Sequence, residues 1–274
     1  MLPNYIYIGP DKSGSTWLFE LLRSHPECYA PPCKDLYYFD KYYNRGDAWY
    51  SKHFQETNAK VRFDISHDYL FSTIAAQRIQ DDLKNVQLVT FLRNPVERSI
   101  SQYQYMRKMG LVPDSFMEAI KTNPEIITNS LYAQHLKNYH YFQNNDSLNI
   151  FFFDELQQNP EAFAERLSKT LGIKNFSNDN IKNKVRQASE SRNILITKTL
   201  KKLALWMRAA GLENILGKLK SSRLIESLLF RNPTEKTDIC TPEEKSELYQ
   251  KYFAEDVAEL EKITGKDLSN WKYQ

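Results

Sequence analysis

Apolar residues recur along the chain at two alternating spacings. Residues 5–9 form an unbroken run of strand length, and residues 15–24 carry Trp17, Leu18, Leu21 and Leu22 on one helical face. Pro26, Pro31 and Pro32 then mark a loop. Further strands are predicted at 61–66, 87–92 and 148–153, with helices at 94–108, 131–142 and 160–171. Strands alternating with helices predict an α/β fold, with a central parallel sheet of about four or five strands covered by helices on both faces. From Lys182 onward the pattern is helical and strands cease. Residues 182–274 are therefore expected to be a helical C-terminal part attached to a core at 1–181. A chain of 274 residues sits near the upper limit for one core, so the whole is expected to be a single domain.

Composition narrows the chemistry. A net charge of +3 is too small to build a field for nucleic acid, so no nucleic-acid partner is expected and anion binding must come from local arrangement. The 17 Tyr and 15 Phe read first as core and half-buried strand positions. Cys28, Cys33 and Cys240 form no CxxC pair and no even framework, so free thiols in a reducing compartment are expected. No His/Cys cluster has ligand spacing, and no metal is expected. The apolar run at 5–8 is too short for a signal-peptide core or a membrane span, which leads to the expectation of a cytoplasmic protein.

Two strand–helix junctions carry the candidate chemistry. The first is Gly9-Pro10-Asp11-Lys12-Ser13-Gly14-Ser15-Thr16-Trp17. Gly14 permits a tight turn, and amides around 13–17 would face outward at a helix N-terminus, where anions are favoured. Lys12 adds a point charge, and Ser15 and Thr16 add hydroxyl donors. A Ser/Thr-capped turn with no ligand is the plainer alternative. Lys12 precedes Gly14, whereas GxxxxGK[ST] places Lys after its second Gly, which counts against an ATPase or kinase. The second junction runs from Thr90 to Ser101. Asn94 is a candidate N-cap, Pro95 takes the first helical position, and Glu97 stands where a capping box wants it. That places Arg93 at a strand end beside a helix N-terminus, with Ser101 on the same helix. Taken alone, a structural ion pair would explain Arg93 equally well.

Together these junctions resemble the two phosphate-binding elements of PAPS-dependent sulfotransferases, the 5′-phosphosulfate loop (forms of PKSGTTW or GPxKxGTT) and the 3′-phosphate element LRxPxxRxxSxY, which Tyr103 completes. The resemblance implies that the α/β fold is of P-loop type, and that PAPS is the sulfuryl donor without a metal. It implies that Lys12, Ser13, Gly14, Ser15 and Thr16 hold the phosphosulfate, that Arg93 and Ser101 hold the 3′-phosphate, and that Lys12 stabilises charge on departing PAP. Trp17 would pack on the adenine or be a core residue. Arg186 and Arg192 lie where relatives carry a late basic loop.

Looser matches run nearly end to end. Lys34-Asp35-Leu36-Tyr37-Tyr38-Phe39-Asp40 looks like the KExxFFD segment of heparan-type and bacterial carbohydrate members, and 63–69 like their GEKSPxY strand. Phe153-Asp154-Glu155-Leu156 with Asn159-Pro160 resembles the segment before their late helix, and 267–271 their closing segment. The Glu of KExxFFD is the base in heparan-type relatives, which implies Asp35 here. His67 is the rival, with an unperturbed pKa near ~6.5 that suits base chemistry, and Asp64 stands behind both. His25, His53, His135 and His140 have no motif around them.

The acceptor is less legible. Residues 198–231 hold eight basic residues and two acidic ones, interleaved with Leu and Trp206. This reads as a lid with a solvated basic face, or as a surface for an anionic polysaccharide or for peripheral membrane contact. The resemblance implies a carbohydrate or small-molecule acceptor, with a lipid or polyketide hydroxyl still open. A nucleotide kinase or NTPase and a non-catalytic PAP- or PAPS-binding protein are the competing readings.

Overall fold

The computed structural model describes residues 1–54, 58–182, 190–191, 207, 230–231 and 239–273. The first strand, β1, spans Tyr5–Gly9 and is followed by helix α1, Ser15–Arg23. Next come the two-residue strand β2 (Cys28–Tyr29), α2 (Gly46–Lys52), β3 (Val61–Ile65) and α3 (Thr73–Asp82). Strand β4 (Gln87–Leu92) leads into α4 (Pro95–Lys108), and β5 (Leu148–Phe152) closes the sheet. All four pairings are parallel, in the order β2-β3-β1-β4-β5.

Period-two burial explains the two layers. In β1, Ile6 and Ile8 enter one core with α3 and α4 residues such as Ile79, Val96 and Tyr103. Tyr7 points the other way and joins Leu18, Leu21 and Leu22 of α1 and Phe163 and Leu167 of the helix Pro160–Leu171. The connection that leaves β1 runs to β2 on one side of the sheet, and the one that leaves its neighbour β4 runs to β5 on the other, so the strand order reverses between β1 and β4. At such a reversal a crevice is expected beyond the C-terminal ends of the strands, the place where open α/β sheets bind ligands.

Three expectations are corrected. The helix expected at 131–142 is broken into Tyr132–Leu136, a 3-10 turn at Lys137–Tyr139 and a short helix at His140–Asn144. Tyr139 is fully buried and its hydroxyl donates to the Tyr69 carbonyl at 2.6 Å, a tertiary anchor that overrides local periodicity. Strands do not cease at Lys182, since Glu190–Ser191 pairs antiparallel with Phe230–Arg231. Glu97 forms no capping box. Asn94 caps α4 by accepting from the Val96 and Glu97 amides, while the Glu97 carboxylate pairs with Lys245 at 2.9 Å.

The C-terminal residues fold back onto the start of α4. Pro242–Leu248 begins with a capping box at Thr241 and Glu244, and after a π turn at Tyr249–Phe253 the helix Ala254–Thr264 follows. Trp271, 1% exposed, accepts at its carbonyl from Asn94 Nδ2 at 3.3 Å, and its indole N–H donates to Asp154.

Candidate active site

At the end of β1 the chain must turn within van der Waals distance of β3. Gly9 has φ +126°, and a Cβ there would stand 2.2 Å from the His67 carbonyl oxygen, so only glycine lets the two strand ends approach. Gly14, at φ +100°, then opens α1, which has no side-chain cap. First-turn amides without a side-chain cap are the groups an anion satisfies. Ser13 is fully buried and Ser15 nearly so, while the Thr16 hydroxyl accepts from Lys34 Nζ at 2.9 Å.

Cations gather around this loop. Lys12 has a left-handed backbone (φ 63°), and its ammonium lies 4.7 Å from the centre of the Tyr105 ring. Burial brings its pKa down to about 8; Asp11 opposes that shift, and Arg93, Arg98 and Lys34 reinforce it. Arg93 leaves the end of β4 and donates from Nη1 to the Lys12 carbonyl at 3.1 Å, joining the two predicted phosphate elements. Its own carbonyl is fixed by the Tyr132 hydroxyl at 2.8 Å. Lys12, Lys34, Arg93 and Arg98 gather around Asp11, with Glu97 and Asp154 also acting on Arg93, and such a cluster of cations suits a multiply charged anion. Ser101 lies on α4, half-buried.

On the β3 side, two of the three candidate bases, Asp35 and His67, prove to be partners. His67 Nδ1 and Asp35 Oδ1 are 2.6 Å apart, although 32 positions separate them in sequence. The other ring nitrogen of His67 lies 3.1 Å from the Tyr37 hydroxyl and 3.2 Å from Asp68 Oδ1. Burial pulls the His67 pKa down, but Asp35, Asp11 and Asp68 outweigh it and hold it above the ordinary value, favouring the imidazolium. Both Asp35 (φ 65°) and Tyr37 (φ 53°) are left-handed, a strained conformation for a tyrosine. The turn is stitched to β3 by the Asp35 amide on the Ile65 carbonyl at 2.6 Å and the Tyr37 amide on Ser66 Oγ at 3.3 Å.

Several expected roles fall elsewhere. Asp64 is fully buried and accepts from the hydroxyls of Tyr50, Ser66 and Tyr69 at 2.8, 2.9 and 3.2 Å; burial raises its pKa to about 6. It props the turn from beneath. Trp17 is 5% exposed and T-shaped to Phe163, with 5.6 Å between ring centroids, so the structure packs it in the core. Tyr103 likewise faces the core, against Phe116. Arg186, Arg192 and nearly all of 198–231 lie outside the described residues. Sequence reasoning missed Lys34, Tyr37, Asp68 and Arg98 as parts of the site. Lys34 and Tyr37 flank the expected base in its own segment, and Arg98 is the second Arg of the 3′-phosphate pattern, so position alone could have flagged these three.

The family profile described as "Sulfotransferase domain" matches residues 2–207. The membrane-associated sulfotransferase kil1 of Dictyostelium discoideum is 41% identical over 108 residues, 38% of this chain and 23% of that protein. Heparan sulfate glucosamine 3-O-sulfotransferase 6 of Mus musculus is 30% identical over 191 residues, 65% of this chain and 54% of the relative. The chain thus spans a quarter to about half of the length of these relatives. Among solved structures, a sulfotransferase from Alicyclobacillus acidocaldarius has the same fold, with TM-score 0.68 over 99% of both chains at 21% identity.

Proposed function

This chain belongs to the sulfotransferase family, and on that premise we propose that it moves the sulfuryl group of PAPS in line onto a hydroxyl of a carbohydrate or glycoconjugate, releasing PAP. The observation that carries the proposal is the opposition of two charged groups of residues. Cationic Lys12, Lys34 and Arg93 line the crevice beside β1, and the Asp35–His67 pair faces it from the end of β3. PAPS supplies the sulfuryl group already activated on a phosphate leaving group.

In this reading the α1 amides with Lys12, Ser13, Gly14, Ser15 and Thr16 hold the 5′-phosphosulfate, and Arg93 and Ser101 hold the 3′-phosphate. Charge developing on the departing phosphate oxygen falls to Lys12, in a site where preorganised charge is worth more than in water. The acceptor hydroxyl gives its proton to Asp35. His67 acts through Asp35, since a ring flanked by Asp35, Asp68 and Asp11 favours its charged form and is then a poor proton acceptor. A carbohydrate acceptor is supported by the heparan-type relative at 30% identity and by the Lys34–Asp40 segment.

Calorimetric titration with PAP, against ATP plus magnesium, tests the donor. PAP binding that Arg93→Ala abolishes is expected, and equal or tighter ATP binding would overturn the reading. Incubation with radiolabelled PAPS and non-sulfated heparan-type oligosaccharides, beside lipid-linked hydroxyl acceptors, tests the acceptor class. Label that enters only the lipid fraction would replace the carbohydrate reading, and no transfer to any acceptor would favour a PAPS-binding protein without catalysis.

A further inference from the structure

We propose that Arg98 and Asp11 form a buried tie through which the two phosphate elements of the donor site are energetically coupled, so that occupancy of either strengthens the other. The proposal rests on the donor reading given above.

Arg98 sits on α4, between Arg93 and Ser101, and is 0% exposed. Its Nη2 donates across 87 sequence positions to Asp11 Oδ1 at 2.5 Å, inside the 5′ loop. Its Nη1 donates to Ser130 Oγ at 3.1 Å and to the Ile126 carbonyl at 3.4 Å, and Ser130 also meets the Ser99 hydroxyl at 3.1 Å. The guanidinium is therefore held on its far side by the segment after residue 125 and reaches the loop with its near side. One residue along, Arg93 grips the Lys12 carbonyl. Two consecutive loop residues are thus fastened to the element that carries the 3′-phosphate ligands.

A buried ion pair stabilises a fold no more than apolar residues of the same volume, and often less. Its distinctive property is geometric, because a planar guanidinium fixes direction as well as distance. Here that direction links a loop and a helix that would each bind a different phosphate of one ligand. When the 3′-phosphate seats against α4, the tie holds Asp11 and Lys12 in place for the 5′ group, so the ordering cost of the loop is met once for both. Arg98 and Asp11 are positioning residues, since each acts through its neighbours.

The test uses three probes on the whole chain: PAP, adenosine 3′-monophosphate and adenosine 5′-monophosphate, with the weaker two measured by displacement of PAP. Asp11→Asn, Arg98→Lys and the double variant are titrated beside wild type, with a thermal melt of each. Couplings between sites usually run from about 5- to 150-fold. Asp11→Asn, placed in the 5′ loop, is expected to weaken the 3′-monophosphate at least ~5-fold, and Arg98→Lys, placed on α4, to weaken the 5′-monophosphate similarly. The double variant is expected to be no weaker than the weaker single, as members of one unit behave. A lowered melting temperature without these cross-effects would make the pair structural only and overturn the proposal. So would additive losses, or tighter 3′-monophosphate binding in Asp11→Asn. If Arg98→Lys does not fold, Asp11→Asn against the 3′-monophosphate decides alone. A wild-type chain that binds none of the three probes overturns the donor reading and, with it, any role for the tie.

Discussion

The His67 ring touches Asp35 through one nitrogen and Tyr37 and Asp68 through the other, which fixes its orientation, while Asp35, Asp11 and Asp68 together set its charge. This predicts unequal penalties within the pair. Asp35→Asn keeps the shape and removes the base, and kcat is expected to fall by ~10²–10⁴-fold with PAP affinity little changed. His67→Gln keeps a donor to Asp35 but loses the charge, so a smaller fall is expected. Steady-state rates with PAPS and a heparan-type oligosaccharide check both, and a larger penalty at His67 would make the imidazole the base. Lys12 gives a pH prediction. An anion binds the ammonium form, and with the pKa of the ligand-free site lowered to about 8, PAP affinity is expected to decline as pH rises through 8. In Lys12→Met that decline should vanish along with most of the affinity. The same shift has a stability consequence. Between about 8 and the ordinary 10.5 the unfolded chain binds more protons than the folded one, so the cost of burying Lys12 stands in full below pH 8 and is relieved above it. At this scale the sequence was legible as a list of chemistries but not as pairings. Asp35 and His67 read as rivals because no local pattern shows that 32 residues bring them to one hydrogen bond.

Elements whose ends are marked by local chemistry were legible nearly to the residue. The helix expected from Asn94 begins at Pro95 with Asn94 as its cap, and the one expected at 160–171 is Pro160–Leu171 behind the cap of Asn159. Both starts combine a side-chain acceptor with a proline at the first turn, signals that need no tertiary contact. Strand β2 was not legible, since two residues carry no periodicity and exist as strand only through pairing with Val61 and Arg62 of β3. Nor was the meeting of β1 and β3, which turns on Gly9. Gly9→Ala is expected to be destabilised by at least the ~1–3 kcal/mol typical of a strained backbone, because a left-handed φ and a 2.2 Å clash with the His67 carbonyl act together. The strand ends must part to relieve the clash, so PAP affinity should fall even where the variant folds. Thermal melting and calorimetry of the purified variant test this, and wild-type values in both would remove Gly9 from the argument.

Across the whole molecule, the residues nearest the C-terminus bear on the crevice through the base of α4. Asn94 uses its carboxamide oxygen to cap the helix and its Nδ2 to hold the Trp271 carbonyl, while the Tyr273 hydroxyl meets Glu97 at 3.1 Å and Lys245 pairs with the same carboxylate. The sequence suggested a helical region after Lys182, but not that residues 239–273 would return to α4, because the contacts span about 150 to 180 positions and carry no motif. Trp271 is the focus of that return: 1% exposed, packed against Phe152 and Tyr132, and bonded to Asp154. Trp271→Ala is expected to cost about 3–5 kcal/mol, the usual penalty for emptying a buried aromatic site. The loss should not stop at stability. With the strap loosened, Asn94 loses a fixed acceptor beside Arg93, so binding of adenosine 3′-monophosphate is expected to weaken more than that of the 5′-monophosphate. Measured at a temperature where the variant is fully folded, that inequality separates a strap that shapes the 3′ element from one that only adds core volume. Equal weakening of the two nucleotides, or none, would reduce Trp271 to the second role.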